Sequence, residues 1–318
     1  MRRLQFAVLL SLAVAGSASA QVALGRIHGS SSYSPITGFV ALIDISDPAV
    51  FDVVVTGIAG CAPPNVALNQ TDLFAEQQGA LVAITANTGP YVGSLGECAV
   101  PEGVLIDDET TINPYPPGGL TLYFDNDEKA TITDDVQPGV IMINAVGGSL
   151  KVGLDGTCNK GTLLVKGGHP GTCSIPKPAT IAPRGAIGLD SDRKLLIIVT
   201  IDGLETDTGL YTSDLAGIMI GLGAQNAINF DGGGSTSFLW RPGTNPPPED
   251  PKLVTKLLNA KYPAIPNKNN VQFKCVRLDP ALGWFNSIPN YPTYRPVYAS
   301  FGLRYTGALK KVEPRAKE

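Results

Sequence analysis

Two aspartates close two short apolar runs. The first run, Leu195 to Ile201, stops at Asp202-Gly203. The second, Ala227 to Phe230, stops at Asp231 and leads into Gly232-Gly233-Gly234-Ser235-Thr236. Three glycines in a row are costly to order, so a fold keeps them where nothing larger fits. Without Cβ atoms, their main-chain N–H groups can line one concavity and close on an anion. Ser235 and Thr236 add hydroxyl donors at the same place. A glycine triplet alone also makes a tight turn. Here an aspartate precedes it and Ser-Thr follows, so polar groups converge on one loop, which favours a binding role.

The elements that must position these groups are legible around them. Leu195 to Ile201 is short, β-branched and almost wholly apolar, the pattern of a strand buried on both faces. Thr212-Ser213-Asp214 predicts a helix start, and Leu215, Ile218, Met219 and Leu222 form one apolar face at the helical period. Gly221 and Gly223 end it. The unit is strand, helix, strand, and each strand delivers an aspartate at its carboxyl end. Upstream, Phe39 to Ile45 and Val53 to Val55 predict strands separated by a Ser46-Asp47-Pro48 turn. Thr71-Asp72 predicts a helix through Gln78, with Leu73 and Phe74 facing inward and Gly79 as its stop. Leu81 to Thr85 predicts a strand that leads to Asn87. Short strands are expected at Leu120 to Phe124, Lys129 to Ile132 and Val140 to Asn144, and a last one over 297–305. Residues 241–294, opening with a Pro-rich run, carry few strong elements and are expected to be a loop insertion.

Composition bounds the rest. The chain has 318 residues, with 43% hydrophobic, 16% charged, 36 Gly and 26 Pro. That is enough chain for a large core with many turns, so the expected class is α+β: a mixed β-sheet core with a few packed helices. The net charge of −4, without blocks of one sign, argues against nucleic acid as a partner. Residues 1–20 read as a secretion signal: Arg2-Arg3, an apolar middle from Phe6 to Ala15, and Ala18-Ser19-Ala20 as cleavage site. No Cys follows that site, so no lipid anchor is expected, and no later stretch is long enough to span a membrane. The mature protein is expected to be secreted or periplasmic, occupying 21–306, with 307–318 a basic tail.

Five cysteines (Cys61, Cys98, Cys158, Cys173, Cys275) follow the signal, so disulfides are expected. Cys158 with Cys173, flanking a glycine-rich loop, is the first expected pair, and Cys61 with Cys98 the next. No CxxC is present and there are only two histidines, His28 and His169, too few for a zinc hydrolase. Asp125-Asn126-Asp127 resembles part of a calcium loop but lacks the rest, and reads as a hairpin turn. No metal or cofactor is implied.

Several stretches together resemble the phosphodiester glycosidase family. They are Pro183-Arg184-Gly185-Ala186-Ile187-Gly188, the Asp202-Gly203 strand end, Leu215-Ala216, and Asn229 to Thr236. The likeness is densest over 183–238. Asp72 to Tyr91 is similar to the family's segment ending in Asn-Gly-Gly-Phe-Phe: Asn87, Gly89 and Tyr91 match in character, while Thr88 and Pro90 depart. Gly103 to Ile106, Gly147-Gly148 and Leu163 to Lys166 look like later family blocks. Tyr294-Arg295-Pro296-Val297 looks like the closing Glu-Arg-x-Val segment, with Tyr294 replacing the acid.

The resemblance implies a hydrolase of a sugar-1-phosphodiester of the N-acetylglucosamine type. In that chemistry the phosphate needs donors, and Arg184 and Arg295 could pair with its oxygens while Gly232, Gly233, Gly234, Ser235 and Thr236 finish the cradle. The anomeric carbon develops positive charge, so a nearby carboxylate lowers the barrier. Asp202 and Asp231 are the catalytic candidates, one activating water or attacking directly. Asn87, with both donor and acceptor, suits a sugar hydroxyl or acetamido group. His169 lies near a family block. Trp240, Trp284, Phe285, Tyr291 and Tyr294 offer a stacking surface for a sugar ring, or serve as core residues. Two other functions remain open on the same scaffold: a hydrolase of an ordinary glycosidic bond, and a non-catalytic glycan-binding protein.

Overall fold

A computed structural model describes residues 21–57, 60–89, 93–114, 119–148, 163–171, 181–203, 208–243, 246–265, 267, 269–285 and 295–306. The expected signal, the basic tail, the Cys158–Cys173 pair, and Tyr91, Tyr291 and Tyr294 fall outside these residues.

The strand Leu195–Ile201 lies inside the largest sheet, and all seven of its residues are buried. Its odd-numbered side chains (Leu195, Ile197, Val199, Ile201) join one apolar cluster, whereas Leu196 and Ile198 join another. A period of two with apolar residues on both sides is what a strand covered on both faces requires. Eight strands form this sheet among the described residues. Their order is His169–Pro170, Val165–Lys166, Asn226–Asn229, Arg184–Leu189, Leu195–Ile201, Pro35–Asp44, Val22–Ser30, Gln272–Leu278.

Helix α2, Thr212–Gly221, covers one face of the sheet. Leu215, Ile218, Met219 and Leu222 are fully buried there, in one cluster with Ile197 and Ile201. Gly223, at φ +98°, turns the chain out of the helix where a side chain would be strained. The other face packs on a five-stranded sheet ordered Trp284–Phe285, Phe238–Trp240, Val82–Thr85, Ser300–Tyr305, Phe51–Val55. Phe39 of the first sheet stacks on Phe238 of the second, with ring centroids 5.5 Å apart. Helix α1, Thr71–Gln78, ends at Gly79 in the left-handed conformation and buries Phe74 and Ala75 on the second sheet's outer side. A third sheet supplies Leu105, Leu122, Phe124 and Val146 to the same inter-sheet core.

The molecule is thus mainly β with three helices among the described residues, a coarse α+β arrangement. The expected mixing of strand directions does not appear within these sheets, where every strand pair is antiparallel. The reason is local. Leu195–Ile201 and Asn226–Asn229 do run in the same direction, but Arg184–Leu189 lies between them and pairs with both in the opposite sense.

The span 241–294 is also richer than expected. Helix α3, Pro251–Leu258, starts with Pro251 at its first position, and the Asp250 side chain accepts from the Lys252 N–H at 2.8 Å. Gln272–Leu278 then forms the edge strand of the large sheet against Val22–Ser30. Asp125-Asn126-Asp127 is the turn of a hairpin between Thr121–Asp125 and Ala130–Thr133.

Candidate active site

Strand register brings three of the expected residues to one edge. Ile201 lies opposite Arg184, so Asp202 follows directly beside it. Asn229 lies opposite Ala186, and the Phe230 N–H donates to the Gly185 carbonyl at 2.9 Å, so Asp231 emerges at the same edge. Arg184 therefore stands between the two aspartates, whose backbones are two strands, about 10 Å, apart.

Asp231 is tied from several sides. The Gly232 N–H donates to its Oδ1 at 2.9 Å, and its own N–H donates to the Ala86 carbonyl at 3.0 Å. Burial raises its pKa, opposed by hydrogen bonds from the Ser235 side chain, the Gly232 N–H and the Thr88 side chain and by the charge of Arg295. The loop is anchored beneath by a buried chain of hydroxyls. Thr85 Oγ1 donates to the Ser235 carbonyl at 2.6 Å and lies 3.1 Å from Thr71 Oγ1, which in turn accepts from Ser300 Oγ at 3.1 Å.

The glycine loop does a different job from the expected open cradle. Of the five amides from Gly232 to Thr236, four have internal acceptors. Gly232 donates to Asp231, Gly233 to the Pro183 carbonyl at 3.0 Å, Ser235 to Gly232 at 3.3 Å and Thr236 to Gly233 at 3.2 Å. Glycine is needed here for close approach. A Cβ on Gly232 would sit 3.0 Å from the Pro183 carbonyl oxygen and 3.5 Å from Arg184 Nη1, and Gly233 is left-handed at φ +61°. The loop wraps the start of strand Arg184–Leu189 and presents Asp231. Ser235 and Thr236 are both buried.

Asp202 is held by fewer hydrogen bonds. Its N–H donates to the Thr37 carbonyl at 2.8 Å, and its shielded Oδ1 has no hydrogen-bond partner among the described residues. Burial pushes its pKa up to about 6, against the opposing pull of the Arg26 charge and a side-chain hydrogen bond with Thr37. A carboxyl group near neutrality can either give or take a proton at working pH.

Arg184 donates from Nε to the Leu210 carbonyl at 3.2 Å, beside a β-bridge between Ala182 and Leu210. Burial lowers its pKa, while the nearby Tyr33 opposes that shift. Behind it lies a network that residue types and spacing did not flag. The Tyr33 hydroxyl donates to Asp214 Oδ2 at 2.5 Å, and Asn269 Nδ2 donates to the same oxygen at 2.9 Å. Asp214 lies in the first turn of α2 and is 4% exposed. A buried acid among Thr212-Ser213-Asp214 reads in sequence as an ordinary helix start, which hid it. Thr88 was visible only as a departure from the family pattern.

Asn87 is fully buried, and its amide is engaged throughout. Nδ2 donates to the Glu102 and Val104 carbonyls, both at 2.9 Å, and Oδ1 accepts from the Gly147 N–H at 3.3 Å. Gly147 and Gly103 pack backbone to backbone beside it, since a Cβ on Gly147 would be 2.8 Å from the Gly103 Cα. In this arrangement Asn87 ties three segments together behind Thr88. Trp240 is also a core residue, 1% exposed, with Nε1 donating to the Pro280 carbonyl at 2.9 Å. Trp284 is partly buried, and its Nε1 donates to the Asp279 carbonyl at 3.1 Å. His169 is exposed on a short strand at the sheet's end. Arg295 is partly buried and close enough to Asp231 for its charge to act there. Two cavities, of about 380 and 500 Å³, lie away from these residues: neither is lined by Asp202, Asp231 or Arg184.

The sequence matches the family model for phosphodiester glycosidase over residues 66–261. No curated protein matches the chain in sequence. Among solved structures, the chain is similar to the zebrafish N-acetylglucosamine-1-phosphodiester alpha-N-acetylglucosaminidase catalytic domain, auto-inhibited by its pro-peptide. That likeness has 16% identity and a TM-score of 0.55, covering 90% of this chain and 88% of that one. A hypothetical protein from Synechocystis shares the fold with 13% identity and a TM-score of 0.50, over 88% of this chain and 62% of that one.

Proposed function

The chain belongs to the phosphodiester glycosidase family, and from that premise we propose that it is a secreted hydrolase of a sugar-1-phosphodiester bond. The sugar is of the N-acetylglucosamine type and the substrate an envelope or extracellular glycan. The observation that carries this reading is the single sheet edge holding Asp202, Arg184 and Asp231, with Thr88, Ser235 and Arg295 gathered on Asp231.

In the proposed reaction Arg184 and Arg295 hold the phosphate oxygens. The oxygen of a water molecule bonds to the anomeric carbon. The bond from that carbon to the phosphate oxygen breaks, and its electron pair leaves with the phosphomonoester. Asp202, with a pKa near neutrality, takes the proton from water. Asp231, fixed by three hydrogen bonds, faces the positive charge that develops on the sugar. Gly232, Gly233 and Gly234 let the loop pack against the start of the strand that carries Arg184 and so present Asp231, Thr236 supports the loop from beneath, and Asn87 holds the Thr88 segment in place. The disulfide between Cys61 and Cys98 suits an oxidising compartment, which supports reading residues 1–20 as a leader to 21–306.

The test is turnover of p-nitrophenyl and UDP-linked α-N-acetylglucosamine phosphodiesters, beside the unphosphorylated p-nitrophenyl glycoside, by wild type, Asp202→Asn and Asp231→Asn. The expected result is phosphodiester-dependent turnover that falls by at least about 100-fold in each variant. Equal rates for all three proteins would remove both aspartates from the chemistry.

A further inference from the structure

The second sheet places the ends of four strands side by side at Ser237, Thr85, Ser300 and Thr56. The glycine loop leaves from the Ser237 side of this edge. At the Thr56 side, three strand spacings or roughly 14 Å away, a cavity of about 500 Å³ opens. Its polar wall is Thr56, Asn69, Gln77, Gln78 and Asp107, and Leu73 and Leu95 lie among its apolar residues.

Four features mark this cavity as built. The Asp107 carboxylate faces it with no hydrogen-bond or ion-pair partner among the described residues, and Gly57 leaves the space: a Cβ there would lie 2.5 Å from Asp107 Oδ2. Leu95 is 55% exposed on the rim. That rim is braced by the Cys61–Cys98 disulfide, by pairing of Val66–Ala67 with Cys98–Ala99, and by the Gly96 N–H donating to the Leu68 carbonyl at 2.8 Å. Gln78 and Asp107 also line the second cavity, of about 380 Å³, whose lining includes Asp52, Asp125 and Glu128. Those carboxylates repel an anion.

We propose that this groove is a saccharide subsite, which takes the uncharged part of a glycan whose phosphodiester end lies at Asp231. The assignment rests on the carbohydrate reading of the site above. Asn69 Nδ2 donates to Gln77 Oε1 at 2.9 Å, so the Gln77 and Gln78 side-chain amides are the ones offered to sugar hydroxyls and acetamido groups, which likewise give and accept hydrogen bonds, and a carboxylate accepts from hydroxyls. An exposed leucine, Leu95, beside such polar groups matches the apolar C–H face of a pyranose. The phosphate end is excluded from the groove by charge and received at Arg184 and Arg295.

The experiment titrates full-length mature protein with the neutral trisaccharide of N-acetylglucosamine, and separately measures kcat/KM on the small p-nitrophenyl phosphodiester. The variants are Gln77→Ala and Leu95→Asp, both at exposed side chains, with thermal melts as folding controls. The expected result is saccharide binding in wild type, weakened about fivefold or more in each variant, with kcat/KM on the small substrate unchanged. The proposal is overturned if both variants bind as wild type does, if the trisaccharide does not bind, or if it only competes with the small substrate. Saccharide binding lost in the variants, in a protein that turns over no phosphodiester, would retain the subsite and remove the proposed reaction.

Discussion

Asp202 is a buried acid whose ionisation works against folding. Its pKa is raised to about 6 in the folded protein, above the ordinary aspartate value near 4 in an unfolded chain. Between those two values the folded state holds more protons than the unfolded state, so stability falls as pH rises through that window and stays lower above it. Asp202→Asn removes this cost. Thermal melts are expected to show the variant more stable than wild type by about 2 kcal/mol at pH 7.5, with the gap closing near pH 4. A variant no more stable at pH 7.5 would mean that Asp202 is better solvated than its surroundings indicate. The same group sets the expected activity profile: kcat/KM rises through a pKa near 6, and Thr37→Val, which removes a hydrogen bond that lowers the pKa, moves that inflection upward. The sequence made Asp202 visible because an apolar strand ended on it. It could not show Thr37 or Arg26, which reach it from strands more than 160 positions away in the chain.

At the scale of elements, the glycine loop and the Asn87 segment are each explained by what a side chain would collide with or leave unpaired. Gly232→Ala places a methyl 3.0 Å from a backbone carbonyl, and that neighbour belongs to the strand start carrying Arg184. The expected result is a loss of kcat/KM of about tenfold or more with a melting shift of a few degrees, since the strain falls on the site and not on the core. Asn87→Ala should behave in the opposite way. It leaves two carbonyls of the 102–104 segment and the N–H of Gly147 unpaired in the interior, and is expected to cost about 2–4 kcal/mol in chemical denaturation. If that variant keeps full stability but loses affinity for substrate, Asn87 reads the sugar after all. These differences explain what was legible. Strand Leu195–Ile201 and α2 carry their period in their own residues. Helix α3 and strand Gln272–Leu278 were obscured by the proline-rich run before them and by an edge strand that leaves Lys274, Val276 and Arg277 exposed. The glycines mark the loop in the sequence, but whether their amides face outward or inward depends on Pro183, which lies in another strand's approach.

At the scale of the whole molecule, the core is continuous across three sheets, and the disulfide among the described residues lies where chain leaves that core. The Cys61–Cys98 link closes a segment with a separation of 37 residues, and it lies on the rim of the larger cavity's loop, not between the packed sheets. Cys275, in contrast, is a buried thiol on the edge strand, and burial pushes its pKa up to about 12, which keeps it unreactive near neutrality. Two outcomes follow from that contrast. Replacing Cys61 and Cys98 together by serine is expected to lower stability by about 2–4 kcal/mol through loss of the loop constraint, while turnover of a small phosphodiester persists wherever the fold does. Alkylation of the native protein at pH 7.5, read by peptide mass mapping, is expected to leave the Cys275 peptide unlabelled until denaturant is added. Rapid labelling of Cys275 in the native protein would show that strand Gln272–Leu278 opens from the sheet. The large sheet would then have a mobile margin at Val22–Ser30, on the strand that carries Arg26 toward Asp202.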